Sequence, residues 1–201
     1  MNKDIYTKIF NTFKQNDGYT HTRDITDAGI HNIYLNDLLQ EGKIERIKRG
    51  LYRWAEANTG ADTTLVDVAL AIPGGIVCLQ YALAHYNLTT AKPWEISVAI
   101  GKKARVKLPD YPPIRLYYFT PVIYNAGIEK ISIGRHEMKI YNREKTLCDC
   151  MRYRKQIGKD IIKEMMVSYL KEHNRNLDLL LKYAKICGVT KDIQTYLEIL
   201  M

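Results

Sequence analysis

Residues 43–54 read KIERIKRGLYRW, and the fold of the N-terminal part turns on them. Apolar Ile44, Ile47, Leu51 and Trp54 are separated by charged residues, the pattern of paired strands with one face buried and one wet. Arg49-Gly50 stands in the middle as the turn, so the stretch reads as a basic β-hairpin. Upstream, Ile5, Ile9 and Phe13 recur at i, i+4 and i+8 with Phe10 beside them, a helix that stops at Asn16-Asp17-Gly18. A second short helix starts at Thr22, a good N-cap residue, turns Ile25 inward and ends at Ala28-Gly29. A third spans residues 31–41, with Leu35, Leu38 and Leu39 as its buried stripe and Gly42 as its stop. Three helices and then a β-ribbon, within about 55 residues, is the layout of a winged helix-turn-helix.

Beyond the hairpin, EANTGA at residues 56–61 is a short polar stretch between two patterned regions, and it predicts a boundary. The expected domains are therefore a winged helix over residues 1–56 and a larger domain over residues 57–201. In the second, residues 65–72 and 80–86 read as helices, residues 95–100 and 115–119 as strands, and residues 130–133 with 139–141 as a hairpin. From Arg143 onward the pattern is helical, with further helices over residues 177–187 and 193–200. The fold class is α+β: an N-terminal winged helix-turn-helix followed by a larger mixed α/β domain with a helical C-terminus.

The chain has 201 residues and a formal charge of +8. Residues 43–53 hold five basic side chains, Lys43, Arg46, Lys48, Arg49 and Arg53, against the single acid Glu45. A basic ribbon is shaped to follow a phosphate backbone, and five neutralised phosphates give a log–log salt slope of about −4 to −5. On the third helix, setting the leucine stripe inward turns Ile33, Asn36, Asp37 and Gln40 outward, with Asn32 and Tyr34 to either side. Asn and Gln pair with adenine and an outward Ile meets thymine methyls, which points to a site of A·T character. His31 and Asn32, at the helix start, are candidate phosphate contacts. The DNA-binding set is thus His31, Asn32, Ile33, Asn36, Lys43, Arg46, Lys48, Arg49 and Arg53. Further basic patches, Lys102, Lys103, Arg105 and Lys107, then Lys145, Arg152, Lys155 and Lys159, form a possible second DNA surface.

Other classes find little support. No apolar run approaches the roughly 18 residues that span a bilayer, and the N-terminus MNKDIYTKIF lacks a signal-peptide core, so a cytoplasmic protein without membrane association is expected. Cys78, Cys148, Cys150 and Cys187 follow no C-x-x-C spacing and read as small buried hydrophobes, and His85 as a packed histidine. No metal-binding or cofactor-binding motif stands out, so neither a metal nor a cofactor is expected. Gly101-Lys102-Lys103 lacks the other elements of a phosphate loop. Pro109-Asp110 with Glu137 and Lys139 follows the loose outline of a metal-dependent nuclease, which keeps a nucleic-acid-processing enzyme as an alternative. A winged helix that binds protein rather than DNA is the other.

Two stretches carry a family resemblance. LLQEGKIERIKRGLYRW, residues 38–54, resembles the N-terminal winged helix of the AbiE-type abortive-infection antitoxins of bacterial type IV toxin–antitoxin systems. IYNREKTLCDCMRYRKQIGKDIIKEMMVSYL, residues 140–170, resembles their C-terminal antitoxin domain, in which an E-[RK]-T-L-x-D core precedes a basic helix. The resemblance implies a non-enzymatic antitoxin that represses its own operon by binding inverted repeats in double-stranded promoter DNA. It also implies that the protein counters a nucleotidyltransferase-type toxin without a stable complex. Arg143, Glu144, Lys145, Thr146 and Asp149 fall on the family core, where helix capping and ion pairing are structural alternatives to a functional role. With no coiled-coil seam, a free monomer that places two copies on the operator is expected.

Overall fold

The computed structural model describes residues 2–57 and 61–200. Part of the expected boundary, residues 58–60, lies outside them. The contacts divide the chain into two compact units.

The first unit takes residues 1–73, 106–112 and 132–137. It contains helix α1 (Lys3–Gln15), strand β1 (Tyr19–His21), helices α2 (Thr22–Asp27) and α3 (Ile33–Gln40), strands β2 (Ile44–Lys48) and β3 (Leu51–Trp54), and helix α4 (Ala61–Ala71). The hairpin turns at Arg49-Gly50 as its sequence predicts, and β1 pairs antiparallel along the other edge of β3 to complete a three-stranded sheet. Helix α2 begins at Thr22 with His21 as the residue before it, and the Asp24 carboxylate accepts the His21 amide at 2.8 Å. Ile9, Phe13, Ile25, Leu35, Leu38, Ile44, Tyr52 and Trp54 form one core between the three helices and the sheet. Trp54 is its centrepiece: Phe10 and Phe13 meet its indole edge-on at 5.1 and 5.3 Å. Each such pair adds about 1 kcal/mol beyond area burial.

Ile44 and Ile47 are three apart, which strict alternation cannot place on the same side of a sheet. Ile44 joins the core under the helices, whereas Ile47 is buried outside that cluster. A β-bulge lies between Arg46 and Lys48, and Glu45 and Arg46 stay exposed.

The second unit holds residues 74–105, 113–131 and 138–201. The remaining elements are β4 (Ile76–Val77), α5 (Leu79–His85), β5 (Ile96–Gly101), β6 (Ile114–Phe119), α6 (Pro121–Tyr124), β7 (Ile128–Ile133), β8 (His136–Tyr141), α7 (Arg143–Arg152), α8 (Arg154–Ile157), α9 (Lys159–Lys171), α10 (Leu177–Cys187) and α11 (Thr190–Leu200). The five strands run in the order β6-β5-β4-β8-β7, with β5 parallel to β6, antiparallel to β4, and β4 parallel to β8. The tip of the β7–β8 hairpin, residues 132–137, counts with the first unit, where Asp17 accepts the Arg135 amide at 2.8 Å. The core of the second unit is built from β-strand residues such as Ile76, Ala99 and Tyr141 together with the inward faces of α5, α7, α9 and α10. At its centre lies α7, in which every side chain from Glu144 to Met151 is buried.

Candidate nucleic-acid interface

The wing is the hairpin β2–β3. Period-two geometry sends Tyr52 and Trp54 to the helical core and Arg53 to the opposite face. That face is covered by α4. Arg53 Nη1 donates to Asp67 Oδ2 at 2.5 Å, Tyr19 Oη donates to Asp67 Oδ1 at 2.9 Å, and Arg53 also pairs with Glu45. Burial pushes the Asp67 carboxyl up, against the pull of Tyr19 and Arg53. Burial opposes the charge of Arg53 too, but the Asp67 and Glu45 carboxylates outweigh it and the guanidinium is held more firmly protonated. The expectation that Arg53 contacts DNA is therefore corrected: its side chain is 16% exposed and already has two acidic partners.

The other wing cations differ among themselves. Lys48 Nζ donates to the Ala71 carbonyl at the end of α4 at 2.6 Å, and its burial holds the ammonium below its usual range. Lys43 pairs with Glu41 at 2.8 Å and lies 4.7 Å from the Tyr6 ring centroid. Arg46 and Arg49 are exposed and have no ion pair or hydrogen bond among the described residues. Of the five expected phosphate contacts, these two keep a fully available charge.

On α3 the inward stripe is as its spacing predicts, with Leu35 and Leu38 buried and Leu39 packed against the same core. Ile33 is 54% exposed, Asn36 and Gln40 are exposed, and Asp37 is half-buried. The start of the helix differs from expectation. His31 Nδ1 accepts the Ile33 amide at 3.2 Å, the His31 carbonyl accepts Tyr34 N and the Asn32 carbonyl accepts Leu35 N. The first three amides of α3 are thus satisfied within the chain, so a phosphate there has only the exposed side chains of His31 and Asn32 to meet.

A groove of about 540 Å³ lies in this unit between the wing and residues 107–110, lined by Arg46, Lys48, Arg49, Lys107, Leu108, Pro109 and Asp110. Sequence reasoning placed Lys107 with Lys102, Lys103 and Arg105. Its nearness to Arg46 is a contact between distant parts of the chain that no local pattern announces.

In the second unit, Lys102, Lys103 and Arg105 are exposed after β5, and Lys155 and Lys159 are exposed beside a hollow of about 490 Å³ with Ile162 and Tyr196 in its lining. Arg152 is exposed, but its Nη1 donates to the Cys187 carbonyl at 2.8 Å. Lys145 requires a correction. Its side chain is 0% exposed and its Nζ lies 2.6 Å from Asp149 Oδ2, 4.1 Å from the Tyr141 ring centroid and 5.1 Å from that of Phe119. A DNA-facing role is excluded for it.

Residues 143–149 contribute to an interior network. Asn142 caps α7 by accepting the Lys145 amide at 2.9 Å, and Arg143 pairs with Glu172 at 2.7 Å. Glu144 accepts the Tyr169 hydroxyl at 3.0 Å, and Thr146 donates to the Tyr141 carbonyl at 3.1 Å. Asp149 accepts the Cys187 thiol at 3.5 Å as well as the lysine, and burial pushes its carboxyl up against the pull of Lys145. Gly127, at φ +70°, makes room for this network, since a Cβ there would stand 2.6 Å from Lys145 Cβ. All four cysteines are buried and free. Of the nuclease-like set, Asp110 is exposed in the 106–112 segment and Glu137 and Lys139 lie on β8. Among the described residues no three His, Cys, Asp or Glu side chains gather as a metal-ligand set. No helix among them is long and apolar enough to cross a membrane.

Fold and surface together define an α+β chain whose N-terminal part is a winged helix-turn-helix. Residues 8–55 match the family model described as "Transcriptional regulator, AbiEi antitoxin", so the N-terminal segment is similar to the regulator domain of that family. Over nearly its full length the chain shares its fold with the RV2827C protein of Mycobacterium tuberculosis, whose crystal structure superposes with a TM-score of 0.56 at 11% identity, covering 98% of this chain and 82% of that one. No curated protein sequence matches the chain.

Proposed function

We propose that this protein is the antitoxin of a type IV toxin–antitoxin system and represses its own operon by binding inverted repeats in promoter DNA. The observation that carries the DNA-binding reading is the pair of uncommitted arginines, Arg46 and Arg49, on a wing whose unit also presents the polar outward face of α3. Arg46 and Arg49 contact phosphates, and Ile33 and Asn36 meet base edges in the major groove. Lys43, already paired with Glu41, adds a weaker contact, whereas the Lys48 ammonium is held by the Ala71 carbonyl. Lys102, Lys103, Arg105, Lys155 and Lys159 remain candidates for flanking backbone contacts. A free monomer places two copies on a symmetric operator.

The antitoxin reading rests on the resemblance of residues 140–170 to the family's C-terminal domain. In it the protein counters a nucleotidyltransferase-type toxin without a stable complex and acts by binding rather than by catalysis. Glu144, Lys145, Thr146 and Asp149 contribute to this as the interior that shapes the domain, given their burial.

The test is a titration against DNA from immediately upstream of the gene and a shuffled control at several salt concentrations. Preference for the upstream DNA, with a log–log slope of at least about −2 per bound monomer from the two free arginines, is expected. Equal, weak binding to both DNAs would overturn the repressor reading. Growth rescue of toxin-expressing cells, with no toxin co-eluting on gel filtration, tests the antitoxin reading.

A further inference from the structure

The groove between the wing and residues 107–110 joins cations that the winged-helix reading uses to a segment that it does not. Three of its cations, Arg46, Lys48 and Arg49, come from the wing, and the fourth, Lys107, arrives from a segment far along the chain. Lys107 is exposed and, like Arg46 and Arg49, makes no ion pair or hydrogen bond among the described residues. Asp110 is the one acid in the lining, and Leu108, 40% exposed, supplies an apolar wall. Four cations around one carboxylate form a concave, positively charged channel, whose field attracts a polyanion. Lys48 holds the wall with its ammonium bonded to Ala71, which leaves Arg46, Arg49 and Lys107 to face a ligand.

We infer that this groove seats the phosphodiester backbone of one strand of the bound duplex, with residues 107–110 acting as a second arm opposite the wing and Lys107 neutralising a phosphate. The inference rests on the DNA-binding reading and extends it to a segment outside the winged helix. Asp110 limits affinity at the same place, for operator and non-specific DNA alike.

The experiment uses the full-length protein and the upstream and shuffled DNAs, with Lys107→Ala, Asp110→Asn and the charge-matched control Lys191→Ala on α11. Lys107→Ala weakens binding about fivefold at 0.15 M salt and lowers the slope by about 1, equally on both DNAs, as loss of one phosphate contact requires. Asp110→Asn acts in the opposite direction, tightening binding roughly twofold to threefold. Lys191→Ala leaves the slope unchanged. A Lys107→Ala slope equal to that of wild type, while Arg46→Ala with Arg49→Ala still lowers it, overturns the groove and leaves the wing standing. Absence of salt-dependent binding by wild type overturns the DNA reading, and the groove falls with it.

Discussion

Arg53 and Asp67 form an ion pair at 2.5 Å in which the carboxylate side chain is 3% exposed and the guanidinium 16%. One of the five wing cations is thereby satisfied inside the protein, where it ties β3 to α4. Arg53→Ala leaves Asp67 buried with Tyr19 as its remaining partner, and a loss of about 3 kcal/mol in urea denaturation is expected. The salt slope of DNA binding, measured where the variant is folded, stays at the wild-type value. A variant of undiminished stability with a shallower slope would return Arg53 to the DNA surface.

Arg46→Ala with Arg49→Ala has the converse effect. Both side chains are exposed, so stability stays within about 0.5 kcal/mol of wild type. The slope falls by about 2, and affinity drops on operator and shuffled DNA alike. Thermal melts and the same titration read the two quantities side by side.

Asn36 separates base reading from phosphate binding. It is exposed on α3, and Asn36→Ala removes a bidentate partner for adenine. Discrimination between operator and shuffled DNA falls by about 1–3 kcal/mol with no change in slope. Equal losses on both DNAs would mean that the outward face of α3 does not read bases.

Lys145→Met keeps the volume and removes the charge, leaving Asp149 buried with the Cys187 thiol as a partner but without its lysine. A loss of about 3–5 kcal/mol is expected, with the salt slope unchanged. Lys145→Met combined with Asp149→Leu recovers most of it, because two well-packed apolar groups no longer leave a lone charge in the core. A double variant no more stable than the single one would show that the pair does more than satisfy itself.

Glu164 provides a pH test. Its carboxylate accepts the Thr89 hydroxyl and the Thr90 amide, both at 2.7 Å, and these hydrogen bonds hold it below its ordinary value of 4.5. The folded state binds this proton less readily than the unfolded chain does. The stabilisation is complete above about pH 4.5 and is lost as pH falls through the folded-state value. Glu164→Gln makes the acid limb of the stability curve shallower. An unchanged acid limb would show that these hydrogen bonds do not favour the ionised form.

Local periodicity carried the helices α1 and α3, the wing and the C-terminal helices, because each buries one face and therefore repeats in its sequence. Strand β1 has three residues, too few to show a period, and only its pairing with β3 reveals it. Arg53 and Lys145 share one reason for the difference: the density of basic residues around each points to a charged surface, and composition does not show which of those side chains turn inward. For Arg53 the missing fact was the helix covering its face of the sheet. Its sequence does carry a signal, since Leu65, Val66 and Val68 are all buried and a helix so broadly apolar belongs between packed surfaces. For Lys145 the hint was Asp149 one turn on, at the i, i+4 spacing that joins opposite charges. The approach of Lys107 to the wing had no local signature at all.

The first unit is assembled from three separate stretches of chain, with α4 closing the back of the wing. A recombination event that carried off the first 56 codons would leave behind Asp67, the Ala71 carbonyl that anchors Lys48, and residues 107–110. The transplanted piece would bring an uncovered apolar sheet and an arginine without its main partner. On the DNA reading proposed above, such a protein is ill suited to acquiring a new operator by exchange of its reading head with a relative. Retargeting would then proceed by point substitution on the outward face of α3, within a body that has to be inherited whole.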